Sequence, residues 1–157
     1  MRIGLISDTH NHWDPLVAVR FADVDHIIHA GDIGQARILL ELERLAPVTA
    51  VLGNNDTGFP LKLTERGKLD GRDILTRHIV PLNNLPPELR DGPGAEPPDI
   101  VVFGHTHRRQ RTTLGRTLFV NPGYAGAPRF GMPRSVALLH LNGPEELQVE
   151  FLDLTPI

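Results

Sequence analysis

The sequence predicts a layered α/β fold built on a buried sheet, and three observations carry that prediction. The N-terminal third runs in the order β-α-β-α-β. Its strands are continuous apolar runs, as expected where both faces of a sheet are covered. The C-terminal third then changes to strands with few helical stretches between them.

Taken in order, "RIGLIS" (2–7) is a short apolar strand. Asp14-Pro15 is a helix start, because proline suits the first helical position, and residues 15–22 keep helical apolar spacing. "DHIIHAGD" (25–32) is a second strand ending in a glycine turn. In "GQARILLELERLA" (34–46), Ile38, Leu39, Leu42 and Leu45 fall on one helical face, and Pro47 ends the helix. "VTAVLG" (48–53) is a third strand. Residues 57–71 are turn-rich, 72–80 form a further strand, and the proline- and glycine-dense 84–99 reads as a loop with at most one short helix. "DIVVFGH", "RTLFVNPG", "SVALLHLN" and "ELQVEFLDL" are strands, with "LG" and "NG" marking hairpins. The change of pattern reads as a second sheet within one domain spanning 1–157.

Composition narrows the function classes. At 157 residues, with 40% hydrophobic and 22% charged, the chain has ordinary globular make-up. A net charge of −3 argues against a general nucleic-acid binder. The absence of cysteine removes disulfides, thiolate metal sites and cysteine nucleophiles. "MRIGLISDTH" has too short an apolar run for a secretory signal, and no stretch reaches the ~18 apolar residues of a membrane helix. The expectation is a cytoplasmic protein with no membrane association.

The strands end in similar chemistry: Asp8-Thr9-His10, Gly31-Asp32, Gly53-Asn54-Asn55-Asp56 and Gly104-His105-Thr106-His107. Ligands of open α/β sheets bind beyond the carboxyl ends of the strands. Residues two apart on an extended segment point the same way, so Asp8 can converge with His10, and His105 with His107. A sulfur-free set of Asp, His and Asn suits manganese, iron, magnesium or zinc. Two such metals ~3.5–4 Å apart are a usual device for phosphate-ester hydrolysis. Taken alone, His105 and His107 read as a hydrogen-bonded strand-end pair; beside the other three motifs they read as ligands.

The ordered set "DTH", "GD", "GNND", "GHTH" and "NPG" (121–123) resembles the calcineurin-like metallophosphoesterase superfamily, nearest its small prokaryotic phosphodiesterases. The resemblance implies a four-layer α/β/β/α sandwich of two mixed sheets flanked by helices. It also implies phosphodiester hydrolysis by hydroxide held between two divalent cations, manganese foremost, with iron, zinc, nickel or magnesium as alternatives. Asp8, His10 and His107 would hold one cation. Asn54, His105 and a mid-chain histidine would hold the other, with Asp32 bridging. Asp32, Asn54 and His105 would be central to catalysis. His78 takes the mid-chain role because it is the one histidine between 29 and 105, although "RHI" stands where relatives carry His-Gly. Asn55 stands where many larger relatives have a proton-donating histidine, and Tyr124 where "NPGS" is common. Some relatives, including a retromer subunit, serve as protein-interaction scaffolds, which is the alternative function.

Several residues carry two readings. Asn11 either binds a phosphate oxygen or caps a helix, and Asn55 is a second candidate substrate contact. Asp56 either fixes Asn54 or His105 or forms a turn. His12 is either a solvated loop residue or a proton-transfer group. His26, His29 and His140 read as core or surface histidines. Arg108, Arg109, Arg111 and Arg116 read as a solvated hairpin, with Arg109 as a candidate phosphate contact. The expected partner is a small phosphate ester whose identity rests with the loops 57–71 and 84–98. No stable nucleic-acid partner is expected, and exposed strand edges allow a homo-oligomer.

Overall fold

The computed structural model describes residues 1–143 and 146–154. Ten strands form two five-stranded mixed sheets. The first sheet orders as β10-β9-β1-β2-β3, with β1 Arg2–Ile6, β2 His26–His29, β3 Val48–Ala50, β9 Ser135–Asn142 and β10 Glu146–Asp153. The second orders as β4-β5-β6-β8-β7, with β4 Thr64–Leu69, β5 Arg72–Arg77, β6 Ile100–Val102, β7 Gln110–Leu114 and β8 Thr117–Asn121. Each sheet has three adjacent parallel strands: β1-β2-β3 in the first, where β3 is the edge and antiparallel β9 and β10 lie beyond β1, and β5-β6-β8 in the second, flanked by antiparallel β4 and β7.

Strand periodicity explains the layers. On β1 and β2, Ile3, Leu5 and Ile28 meet Ile74, Ile100, Val102 and Val120 between the sheets. Their neighbours Ile6 and Ile27 turn the other way, onto Val17 and Phe21 of the α1 region and Ile38 and Leu42 of α2. Helix α1 (Pro15–Arg20) starts where Asp14 accepts a hydrogen bond from the Leu16 amide at 2.9 Å. Helix α2 spans Ala36–Glu43. The fourth layer, on the outer face of the second sheet, is the loop after β5: Val80, Leu82, Leu85 and Leu89 cover Leu75, Val101 and Phe119. That loop contains one 3-10 turn, Pro87–Leu89, and its six prolines account for the lack of a longer helix. Among the described residues, no helix is long and apolar enough to cross a membrane.

Two expectations need correction. Residues 57–71 are not all turn: β4 occupies 64–69 and pairs with β5 across Asp70-Gly71, both at positive φ. "TERGKL" lacks an apolar run because β4 is a sheet edge exposed over much of its length, while the "DG" dipeptide was its signal. The C-terminal strands also do not form one new sheet. β7 and β8 join the second sheet, but β9 returns to pair with β1 and carries β10 with it.

The parallel strands place their exits side by side. Ile6 pairs with His29, and beyond them the Asp8 amide donates to Gly31 O at 3.0 Å and the His10 amide to Asp32 O at 3.0 Å. In the second sheet the Gly104 amide donates to His78 O at 3.0 Å.

Candidate metal centre

Asp8 is fully buried, and its two oxygens have different surroundings. Oδ2 accepts from Ser7 Oγ at 2.8 Å and from the His105 amide at 3.0 Å. Among the described residues, Oδ1 has no hydrogen-bond partner. It faces His107 Nε2 at 3.3 Å, His10 Nε2 at 3.6 Å and His78 Nε2 at 3.8 Å. Asp32 Oδ2 approaches His78 Nε2 at 3.3 Å and His10 Nε2 at 3.6 Å. Asp8 and Asp32 thus both lie between His10 on one side and His78 on the other.

His78 follows β5 and is 3% exposed, so it is not a surface histidine. Its Nδ1 lies 2.7 Å from the Ala30 carbonyl. A carbonyl only accepts, so Nδ1 carries the proton and Nε2 presents its lone pair. Buried Nε2 has no hydrogen-bond partner among the described residues. This bare imidazole nitrogen facing a bare carboxylate oxygen fits a divalent cation. Two donor triads result: Asp8, His10 and His107, and Asp8, Asp32 and His78. His105 and His107 diverge. His107 joins Asp8, while His105 Nδ1 lies 3.2 Å from Asn54 Oδ1 and its ring packs edge-on to His78 at 5.4 Å.

Convergence does not come from extended backbone. Asp8, His10, Asn11, Asp32, His105 and His107 all have φ between 44° and 75°, in the left-handed region. Asp70 is the only other non-glycine residue with positive φ among those described. Asp, Asn and His tolerate this conformation better than most side chains, yet each still costs roughly 1 kcal/mol. Close approach demands glycine beside them. A Cβ on Gly53 would come within 2.1 Å of Asp32 Oδ1, and one on Gly104 within 2.0 Å of Ser7 Oγ.

Other predicted residues take different places. Asn55 donates to both oxygens of Asp32, from its backbone at 2.9 Å and its side-chain amide at 2.9 Å, so it orients that carboxylate instead of facing a substrate. Asn11 does not cap α1. Its Oδ1 accepts from Arg37 Nε at 3.1 Å, and its carbonyl accepts from Arg37 Nη2. Arg109 pairs with Asp153 at 3.0 Å and lies over Phe151, which commits it to β10. Arg116 pairs with Asp91. His12 acts electrostatically on Asp14. His26 and His140 bond to Thr49 and Glu150 across their sheet.

Sequence reasoning missed several supports. Asp56 touches neither Asn54 nor His105; it accepts from the amides of Ile33, Gly34 and Gly53 at 2.9–3.2 Å, clasping the Asp32 loop to the Asn54 loop. Asn121 of the "NPG" motif donates to Gly104 O and Thr106 Oγ1, fastening the His105–His107 turn. Tyr124 lies under His107 at 4.8 Å and His10 at 6.3 Å between ring centroids. Arg129 sits 5.2 Å over the Tyr124 ring. No local pattern marks Arg37 or Arg129, because each reaches the centre only through the fold.

Burial opposes charge on Asp32, but the Asn55 amides and the facing His78 and His10 outweigh it and hold the carboxyl below its usual range. Burial also lowers the His107 pKa; Asp8 opposes this, while His10 and Arg129 add to it. The neutral ring that results is the form that binds metal. His29 is fully buried, and desolvation pushes it down to about 3, with His78 contributing. Its Nδ1 accepts from the Gly31 amide at 3.1 Å, so Nε2 carries the proton and donates to Thr9 Oγ1 at 3.0 Å. Thr9 in turn donates to Ile33 O at 2.8 Å. His29 therefore ties the first two strand exits together.

The sequence profile of the calcineurin-like phosphoesterase superfamily domain matches residues 1–143. A probable metallophosphoesterase of Methanothermobacter thermautotrophicus is 35% identical over 97% of this chain and 92% of its own. A phosphodiesterase of Methanocaldococcus jannaschii is 32% identical over 85% of this chain and 89% of its own. Among solved structures, an archaeal phosphodiesterase superposes with a TM-score of 0.76 at 23% identity, covering 98% of this chain and all of that one. Zinc-complexed Vps29 of Entamoeba histolytica gives 0.71 at 21% identity, covering 99% of this chain and all of that one. At these identities the structural matches establish the fold.

Two predictions concern the supports. Asp56→Ala should cost about 2 kcal/mol of stability and speed hydrogen exchange at the Ile33, Gly34 and Gly53 amides. Unchanged exchange at those three amides would remove Asp56 from this role. For His29, the folded pKa of about 3 lies below the ordinary 6.5, so the unfolded chain binds more protons between these values. Its contribution is present above pH 6.5 and is lost as pH falls toward 3. Urea midpoints from pH 7 to 4 should therefore decline less steeply in His29→Gln than in the wild type; parallel declines would contradict this.

Proposed function

The chain belongs to the calcineurin-like phosphoesterase superfamily, and from that premise we propose that it hydrolyses phosphodiesters at a two-metal centre. One observation carries the reading: buried Asp8 Oδ1 and His78 Nε2, both without hydrogen-bond partners among the described residues, face each other and Asp32 across a gap bordered by two more imidazoles. A buried polar pair left in this state is costly without a cation between its members.

In this reading Asp8, His10 and His107 would hold one cation, and His78, His105 and Asn54 the other, with Asp32 shared between them. Manganese is the proposed metal, with iron, zinc, nickel or magnesium compatible with the same donors. When bound, such a pair activates water and draws charge from the phosphoryl oxygens. The residues of the chain supply the rest. Ser7 and the His105 amide hold Asp8 so that Oδ1 faces the cluster. Asn55 keeps Asp32 oriented and ionised. Ala30 fixes the His78 tautomer. Tyr124 props His107 and His10 from below.

Two clefts support a diester over a monoester. One of ≈ 340 Å³ borders Asn54 and His78 and includes Leu52, Leu63 and Ile79. The other, of ≈ 350 Å³, includes His107 and Arg108. A phosphorus held at the cluster would thus have room for an organic group on each side. The named phosphodiesterase relative points the same way. The two donor triads, Asp8-His10-His107 and Asp8-Asp32-His78, weigh against the scaffold alternative.

Asn55 cannot donate a proton as an acid and is already bound to Asp32, so leaving groups that depart as stable anions should be preferred. Chelator-treated protein should be inactive on a bis-aryl phosphate and recover with manganese, with aryl esters turned over faster than alkyl esters. Asp32→Asn should lower turnover at least roughly 100-fold with an unchanged circular dichroism spectrum. Full turnover by Asp32→Asn would sink the bridging assignment, and inactivity with every metal would favour the scaffold.

A further inference from the structure

We propose that the cleft beside His107 is a subsite for a planar aromatic substituent of the phosphate ester, with Phe130 as the ring on which it stacks. The inference rests on the phosphoesterase reading and names a substrate class for it. A single exposed phenylalanine is ordinary, so the argument lies in how this one is held and what it faces.

Phe130 is fully solvent-exposed, with a relative accessibility of 109%. It occupies the corner of a turn closed by the Met132 amide donating to Arg129 O at 3.1 Å, with Gly131 at φ 71° supplying the left-handed step. The root of this loop is fastened. Tyr124 Oη donates to Ala127 O at 2.8 Å. Arg134, 3% exposed, donates from Nε to Gly126 O at 2.7 Å and from Nη2 to Asp14 at 2.8 Å. The loop therefore presents Phe130 from an anchored base.

The cleft this ring borders also contains His107, Thr106 and Arg108, and its ≈ 350 Å³ suits one ring system instead of a polymer. The cleft thus runs from a candidate metal ligand to an uncovered aromatic face. One cation, Arg108, lies in the wall, and a second, Arg129, sits over Tyr124, whose ring packs on His107. An ester phosphate at the cluster would be drawn by these guanidinium groups, while an attached ring would lie against Phe130. A flat π-face favours aryl or nucleobase groups over alkyl ones without demanding a particular base.

Calorimetric titration of the manganese-loaded protein with phenylphosphonate and methylphosphonate tests this. Wild type should bind the phenyl compound about threefold to tenfold more tightly. In Phe130→Ala the ratio should fall near one, and Phe130→Tyr should restore it. Phe130 is exposed, so neither change should disturb folding, and thermal melting checks this. A phenyl preference that survives in Phe130→Ala, or is missing from the wild type while both compounds bind, overturns the subsite. Failure of both compounds to bind overturns the phosphoesterase reading together with it.

Discussion

The structure turns on one carboxylate, Asp8, whose inner oxygen is saturated and whose outer oxygen is left bare among three imidazoles. Ligand atoms of Asp8 and Asp32 lie within 4.8 Å of each other in a buried place. Two like charges at that separation repel by roughly 3 kcal/mol at the effective dielectric of such sites. Nothing in the hydrogen-bonding of Oδ1 or of His78 Nε2 relieves this. The arrangement makes physical sense as one that a cation completes, and the surrounding contacts are what keep it from relaxing first.

Those contacts come from strand exits forced into unfavourable backbone. Left-handed residues gather at the cluster because short turns must aim a side chain back over the edge of each sheet. The two apolar interiors beside the first sheet, one under the helices and one between the sheets, hold the strands rigid enough to sustain that strain. Asp56, His29 and Asn121 then lock loop to loop with hydrogen bonds that bypass the ligands. Geometry at the centre is therefore set both by direct contacts, from Ser7 and Asn55, and by residues that do not touch the ligand side chains.

Much of this was legible in the sequence. Apolar runs ending in glycine and then Asp, Asn or His marked the strand exits, and the order of the motifs implied that the exits meet. The helix of 36–43 was readable from its apolar face. What was not legible is non-local. β4 has too little burial to leave a pattern, and the return of β9 to β1 depends on strand pairing that "SVALLHLN" does not encode locally. Extended backbone with residues two apart does not produce the convergence, because φ at Asp8, His10, His105 and His107 is left-handed. Nothing local marks Asn55 and Arg109 as paired, because each has a carboxylate partner supplied by a distant segment. Arg37, Tyr124 and Arg129 surround the centre for the same long-range reason, and Phe130 borders the His107 cleft from that loop.

The clefts bordering Asn54 and His78, and His107 and Arg108, connect this geometry to the proposed chemistry, in which they would take the ester arms of the substrate. Everything in that account depends on cations seated between Asp8, Asp32 and the four histidines. The most direct measurement is metal stoichiometry: manganese titrated into chelator-treated protein, followed by elemental analysis after gel filtration. Two metal ions per chain in the wild type, and a clear loss in His78→Ala, is the expected result. A chain that retains no metal at saturating manganese would contradict it.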